Sequence, residues 1–315
     1  MKKILVLSLV AIAFNSFANT EKPTAKIESG ALQGTTEYNM IAFKGIPYAA
    51  PPVGDLRWRA PQPAAAWVGT RDASMFGDSC PQPYLKNLSV DLALPGNEDC
   101  LKLNVFAPQK PGKDLPVMVW IHGGGLLVDG SKDSQFQPIG LVKNGVIVVT
   151  FDYRLGALGF FANKELVAEA KAKGEPVGNY GTMDQIAVLK WVKRNIAAFG
   201  GNPNNVTIFG ESAGGRSVNW LMTSEPARGL FHKAISQSAE QSPLRGTTEV
   251  RNGKPPLTEI SANYMKTLGV SSLKELRALP ANKLVLTADQ FESGGFGGDC
   301  IVSHSIRPRM VASID

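Results

Sequence analysis

The strongest fold signal in the chain is Val206-Thr207-Ile208-Phe209-Gly210-Glu211-Ser212-Ala213-Gly214-Gly215. Its apolar start predicts a buried strand, and the residues from 212 to about 223 predict a helix. The G-x-S-x-G pattern between them is typical of a nucleophile elbow, a tight turn that holds a serine hydroxyl up at the end of an α/β sheet. A serine that merely caps a helix is the alternative, but a cap does not need glycine on both sides. The pattern therefore predicts Ser212 as a catalytic nucleophile.

A second motif, His122-Gly123-Gly124-Gly125, directly follows an apolar run at residues 116–121. Glycines after a buried strand let backbone N–H groups point into a site without obstruction by side chains. An ordinary glycine turn is the alternative when the motif stands alone. Together with the serine motif, it indicates an oxyanion hole, and His122 itself is interpreted as structural rather than as a general base.

Strand and helix signals alternate through the middle of the chain. Apolar or alternating runs at residues 101–106, 116–121, 146–151, 206–209 and 234–237 predict strands. Apolar residues at helical spacing precede Gly200-Gly201 and predict a long helix: Met183, Ile186, Leu189, Val192 and Ile196. This alternation favours an α/β fold of the hydrolase type, with an open, mostly parallel sheet and helices on both faces.

The secondary-structure signals near the two ends of the chain are shorter. Residues 26–35 predict a β-hairpin with Ser29-Gly30 at its turn, and residues 41–44 predict a third strand. Prolines make residues 51–63 irregular. Toward the other end, residues 259–268 and 272–279 predict helices, the second opened by a capping box of Ser272 and Glu275. Without repeats or linkers, the sequence predicts one domain over residues 19–315.

Composition narrows the class of protein. The chain has 315 residues, 43% of them apolar, and a formal net charge of +6 that is scattered rather than clustered. This distribution argues against nucleic-acid binding. Lysines, an apolar run and small residues fill positions 1–18 in the order of a cleavable bacterial-type signal peptide. Since no other apolar run approaches about 20 residues, we expect a secreted or periplasmic protein without a stable membrane anchor.

Export would place the cysteines in an oxidising compartment. Cys80 and Cys100 are near enough in sequence to close a short loop, and such a bridge contributes about 3 kcal/mol. Cys300 is then left over. It is a buried small hydrophobe, an unpaired thiol or a residue whose partner is missing.

The chain resembles the type-B carboxylesterases, the family that includes cholinesterases and related bacterial esterases. Several stretches carry the resemblance, besides the two glycine motifs: Phe43-Lys44-Gly45-Ile46-Pro47-Tyr48-Ala49, Leu56-Arg57-Trp58, Asn97-Glu98-Asp99-Cys100-Leu101, Asn179-Tyr180-Gly181 and Phe231-His232-Lys233-Ala234-Ile235. The resemblance is dense over residues 26–240.

The resemblance implies roles for individual residues. Ser212 would be the nucleophile, Gly124, Gly125 and Ala213 would supply the oxyanion N–H groups, Glu211 would lie beside the serine, and Cys80 would pair with Cys100. The implied substrate is a small-molecule ester, with no cofactor and no metal.

The chain departs from the family in one respect. The triad of this fold runs in the order Ser, Asp or Glu, His. In the family that the chain resembles, the acid follows the serine by more than a hundred residues and the histidine lies about as far again, yet only 103 residues follow Ser212. His232 is interpreted as structural. His304, near Asp299, lies in a stretch that resembles the segment before the catalytic acid. We therefore expect the acid and the histidine to be missing, and the sequence to be a fragment or a truncated product with an exposed apolar sheet edge.

Two functions remain open from the sequence. The first is an exported serine carboxylesterase that forms an acyl-enzyme on Ser212. The second is a non-catalytic esterase-like binding protein or an inactive truncated product. Retention of Ser212 and the oxyanion glycines favours the first, because a binding protein gains nothing from them.

Overall fold

A computed structural model describes residues 22–83, 96–110, 112–133, 136–239 and 245–285. Its strands are β1 (Thr24–Ile27), β2 (Gly30–Gln33), β3 (Thr35–Glu37), β4 (Met40–Pro47), β5 (Thr70–Asp72), β6 (Lys102–Pro108), β7 (Leu115–Ile121), β8 (Ile147–Phe151), β9 (Gly201–Glu211) and β10 (Lys233–Gln237). Its helices are α1 (Ile139–Lys143), α2 (Gly156–Gly159), α3 (Lys164–Lys173), α4 (Tyr180–Asn195), α5 (Ala213–Met222), α6 (Leu257–Thr267), α7 (Leu273–Ala278) and α8 (Ala281–Leu284).

Seven strands form the main sheet, in the order β10-β9-β7-β8-β6-β4-β3, and β1, β2 and β5 form a smaller one. The strands β10, β9, β7 and β8 are parallel to one another, whereas β6, β4 and β3 pair antiparallel. The α/β-hydrolase fold is confirmed. The parallel arrangement expected from the sequence holds in the half of the sheet that carries both glycine motifs.

Alternation along β7 and β9 separates the two faces of the sheet. Val117, Val119, Val206 and Ile208 are fully buried, and they share one core with apolar residues of α4 and α5. Their neighbours in sequence point the other way and are partly exposed. All five residues of β8 are buried, as expected for a central strand that is covered on both faces.

β10 lies at the edge of the sheet. In the described part of the chain it pairs with β9 alone, and four of its five residues are exposed. The side chain of Ile235 is 43% exposed. The structure thus contains the exposed, partly apolar edge that the sequence predicts.

Several local predictions are confirmed. β1 and β2 form the antiparallel hairpin, and Ser272 and Glu275 form the capping box that opens α7. Cys80 and Cys100 form a disulfide whose Cα atoms lie 5.0 Å apart. The signal peptide at 1–18, Cys300 and His304 lie outside the described residues. Within the described ranges, every helix is too short or too polar to cross a lipid bilayer.

Candidate active site

Ser212 lies at the junction of β9 and α5 in a rare backbone conformation. Its φ is 54° and its ψ is −119°, although it has a β-carbon. A non-glycine residue held in such a region costs on the order of 1–3 kcal/mol and persists only where the surroundings enforce it. The nucleophile elbow predicted from the sequence is therefore present as a strained turn.

Backbone contacts require glycine at three positions around Ser212. A β-carbon at Gly214 would lie 2.0 Å from the carbonyl oxygen of Ile121, and one at Gly215 would lie 2.6 Å from that of Gln237. At Gly210 a β-carbon would lie 2.5 Å from the backbone of Gly214. Since backbone atoms cannot rotate away, only glycine fits at these positions.

Hydrogen bonds fix the elbow to the sheet. The Ser212 N–H donates to the carbonyl oxygen of Gln237 on β10 at 2.9 Å, and the Ser212 carbonyl oxygen accepts the Arg216 N–H at 2.9 Å. Behind the elbow, the Gln185 amide on α4 donates to the Ser217 hydroxyl on α5 at 3.0 Å. Ser212 is therefore placed by β10, α4 and α5 together.

Strand order brings the glycine motif to the serine. β7 and β9 are parallel neighbours, with Ile121 opposite Gly210, so both chains leave the sheet side by side. A β-carbon at Gly123 would lie 3.5 Å from the Ser212 β-carbon and 3.0 Å from the Glu211 carbonyl oxygen. We call residues 122–130 the glycine loop. Its start lies directly against the elbow.

Gly124 and Gly125 adopt left-handed conformations, with φ of 80° and 64°. The Gly124 carbonyl oxygen accepts the N–H groups of Leu127 and Val128 at 3.0 and 3.1 Å. Among the backbone hydrogen bonds of the described residues, none is donated by the N–H groups of Gly124 and Gly125. Ala213 begins α5, where N–H groups have no partner within the helix. These N–H groups are donors of the kind that can hold an oxyanion.

His122 is buried at the start of the glycine loop. Its ring is fully buried and stacks on Tyr153 with centroids 4.2 Å apart. Burial lowers the pKa of His122 to about 3, so the imidazole is neutral at neutral pH. The Tyr153 hydroxyl donates to the His122 carbonyl oxygen at 2.9 Å, which anchors the loop where it leaves β7.

His232 lies at the opposite end of β9 from the serine. Its N–H donates to the Val206 carbonyl oxygen at 2.8 Å, and its Nδ1 accepts the Val206 N–H at 3.2 Å. Six residues of extended strand between positions 206 and 212 span about 20 Å. His232 is therefore too far from Ser212 to take its proton. Asp299 and His304 lie outside the described residues.

Two carboxyl groups lie at the glycine loop, Glu211 beside its start and Asp129 within it. Glu211 is exposed, and its Oε2 would lie 3.3 Å from a β-carbon at Gly123. Burial raises the pKa of Asp129 to about 6, with a smaller contribution from the nearby charges of Asp133 and Glu211. The sequence gives no sign of Asp129, because its position depends on the return of the loop toward Gly124. In the described ranges no cluster of His, Cys, Asp and Glu has metal-site geometry.

Comparison with known proteins agrees with this geometry. The model of the carboxylesterase family matches residues 21–305. The chain belongs to the carboxylesterase family. It is 43% identical over 265 residues to the para-nitrobenzyl esterase of Bacillus subtilis (strain 168), which covers 83% of this chain and 51% of that protein. It is also 43% identical over 235 residues to the fumonisin B1 esterase of Sphingopyxis macrogoltabida, which covers 74% of this chain and 43% of that protein.

Solved structures of family members share the fold. A para-nitrobenzyl esterase structure superposes with a TM-score of 0.76 at 39% identity and covers 87% of this chain and 54% of the other. A carboxylesterase of Geobacillus stearothermophilus gives a TM-score of 0.73 at 36% identity, with 83% and 52% covered. The carboxylesterase therefore spans about half the length of the relatives it matches.

Proposed function

We propose that this carboxylesterase hydrolyses small carboxylic esters through an acyl-enzyme on Ser212. The observation that carries the proposal is the packing of Gly123 against Ser212, with a β-carbon position only 3.5 Å from the serine β-carbon. A substrate carbonyl carbon that contacts the Ser212 hydroxyl then has its oxygen beside the N–H groups of Gly124, Gly125 and Ala213. Such donors, fixed before the reaction, stabilise the charge that develops in the transition state.

The proposed reaction has two halves. In the first, Ser212 Oγ attacks the ester carbonyl and loses its proton to a general base, and the tetrahedral oxyanion is held by the three N–H groups. The oxyanion collapses, the alcohol leaves with the proton, and an acyl-enzyme remains. In the second half, water attacks the acyl-enzyme by the same route and releases the acid.

The base of this reaction is not one of the described histidines. His122 is buried with a lowered pKa, and His232 lies at the far end of β9. We therefore propose that the acid and the histidine of the triad lie outside the described residues. Neither a metal nor an organic cofactor is required by these steps.

The N-terminal sequence and the disulfide support a proposal about where the protein is located. We propose that residues 1–18 are a signal peptide, that residues 19–315 belong to one esterase domain, and that the protein is exported. The buried disulfide between Cys80 and Cys100 agrees with folding in an oxidising compartment.

The test is hydrolysis of p-nitrophenyl butyrate together with labelling by a fluorophosphonate, for a full-length form that carries the acid and the histidine of the triad and for two variants of that form. Ser212→Ala should abolish turnover and labelling. Ser224→Ala is the matched control, because Ser224 is a buried serine whose hydroxyl has no partner among the described residues; it should keep both. Undiminished turnover by Ser212→Ala would refute the nucleophile. Absence of labelling in the unmodified chain would favour an esterase-like binding protein.

A further inference from the structure

Gln82 makes two reciprocal hydrogen bonds with the backbone of the glycine loop. Its Nε2 donates to the Asp129 carbonyl oxygen at 2.9 Å, and its Oε1 accepts the Asp129 N–H at 2.8 Å. The side chain is buried, with 5% of its surface exposed. The two bonds satisfy both backbone polar groups of a residue that is 47 positions away in sequence.

Asp129 needs this support because its own backbone is strained. Its φ is 89°, in the left-handed half of conformational space where a residue with a β-carbon is disfavoured. The Asp129 carboxylate already accepts the Gly130 N–H at 2.6 Å, so it does not replace the bonds from Gln82. The Gln82 amide is therefore the group that holds the Asp129 peptide in place.

Asp129 in turn contacts an oxyanion glycine. A β-carbon at Gly124 would lie 2.9 Å from the Asp129 β-carbon and 3.1 Å from the Val128 side chain. The Gly124 carbonyl oxygen also accepts the N–H groups of Leu127 and Val128. A displacement of Asp129 must therefore move Gly124, because close-packed atoms leave no slack between them.

On its other side Gln82 is fixed to the disulfide. Its Nε2 also donates to the Cys80 carbonyl oxygen at 3.1 Å. The same oxygen would lie 2.7 Å from a β-carbon at Gly96, so Gly96 packs against the backbone of Cys80. Both cysteines are buried. The Gln82 amide thus connects a covalently fixed segment with the glycine loop.

We propose that Gln82 is a positioning residue that sets the oxyanion N–H groups of Gly124 and Gly125 through the backbone of Asp129. The proposal rests on the function proposed above. A displacement of about 1 Å at such donors can cost about a hundredfold in rate. The donors act mainly on the transition state, so their displacement lowers kcat and leaves KM nearly unchanged.

The kinetic test uses the same full-length form with Gln82→Met, which keeps the volume of the side chain and removes its hydrogen bonds. We expect kcat for p-nitrophenyl butyrate to fall about tenfold to a hundredfold, with KM within about twofold. Gln62→Met is the matched control. Gln62 also donates one amide hydrogen bond to a nearby carbonyl oxygen, that of Ala60 at 2.9 Å, and this bond lies outside the glycine loop. It should leave kcat unchanged. A rise in KM with an unchanged kcat for Gln82→Met would overturn the proposal.

A second measurement does not depend on turnover. Amide hydrogen exchange should accelerate at Leu127 and Val128, which bond to Gly124, in Gln82→Met but not in Gln62→Met. Acceleration at Asp129 alone would overturn the proposal, because the loop would then be independent of Gln82. If Gln82→Met does not fold, Gln82→Glu is measured in the same way. If Ser212→Ala keeps full turnover, the proposed function fails, while the exchange data still decide whether Gln82 holds the loop.

Discussion

The carbonyl oxygen of Ile121 lies directly against the α-carbon of Gly214, so close that a β-carbon there would be 2.0 Å from it. Ile121 ends β7 and Gly214 is the second residue of α5. One contact between backbones therefore sets the distance between the strand that leads into the glycine loop and the helix that follows the nucleophile. Because Gly214 has no side chain, the backbones of β7 and α5 can approach each other this closely.

Gly214→Ala should destabilise the protein by about 3 kcal/mol or more, since the backbone of β7 or α5 has to move. Urea unfolding measures the loss. Gly140→Ala is the matched control: Gly140 also lies in a helix, α1, and a β-carbon there would meet nothing within 4 Å. It should leave stability unchanged or raise it by about 0.5–1 kcal/mol. Equal effects at the two positions would contradict the contact.

Strain at Ser212 predicts an unusual order of stability among variants that all lack the nucleophile. Ser212→Gly should be about 1 kcal/mol more stable than Ser212→Ala, because glycine adopts a φ of 54° without the cost that a β-carbon brings. Ser217, a buried serine inside α5, supplies the comparison. There the glycine variant should be less stable than the alanine variant by about 0.5–1 kcal/mol, because glycine is unfavourable in a helix interior. The same order at both serines would show that Ser212 is not strained.

The buried ion pair of Arg154 and Asp184 predicts a large loss on mutation. The Arg154 guanidinium donates to both carboxylate oxygens of Asp184, at 2.8 and 2.7 Å, and the two side chains are 4% and 0% exposed. Asp184→Asn should cost about 3–5 kcal/mol in urea unfolding, since it leaves Arg154 charged and buried without its counterion.

An ion pair on the protein surface is the control for this prediction. Arg228 and Glu225 also make a two-pronged contact, but their side chains are 64% and 55% exposed. Arg228→Gln should leave the free energy of unfolding nearly unchanged, because water screens the pair. A cost for Asp184→Asn as small as that of the surface variant would mean that Arg154 finds another partner.

His122 predicts a loss of stability in acid. Its pKa is lowered from 6.5 to about 3 by burial, so between these values the unfolded chain binds a proton that the folded chain does not. The stabilisation is complete above the unfolded pKa of 6.5 and is lost as pH falls toward 3. Relative to His122→Gln, the unmodified protein should lose about 2 kcal/mol between pH 7.5 and pH 5.0.

Urea unfolding at these two pH values checks the difference. Burial also raises the pKa of Asp129 to about 6 and that of Asp152 to about 7, and both groups oppose the trend. They are present in both proteins, so their contributions cancel when the two slopes are compared. Parallel slopes for the two proteins would contradict a buried neutral His122.

Prediction from sequence succeeded where a feature is local. The elbow, the helix after it and the capping box of α7 each depend on residues within one or two turns of each other. The helix α3 was missed. It has one strong signal at each end, the Asn163 cap and the left-handed Gly174, but only Leu166 and Ala170 are buried, so its apolar periodicity is weak.

The nucleophile candidate can be found without any structure, because a tight turn with glycine on both sides of Ser212 is a local steric requirement. The disulfide can be found in the same way, through the resemblance to the family. That β7 and β9 are neighbours and that Gln82 bonds to Asp129 becomes visible only in three dimensions. These contacts join residues far apart in the chain, and their existence depends on strand order and on the burial of matching faces, which local periodicity does not encode.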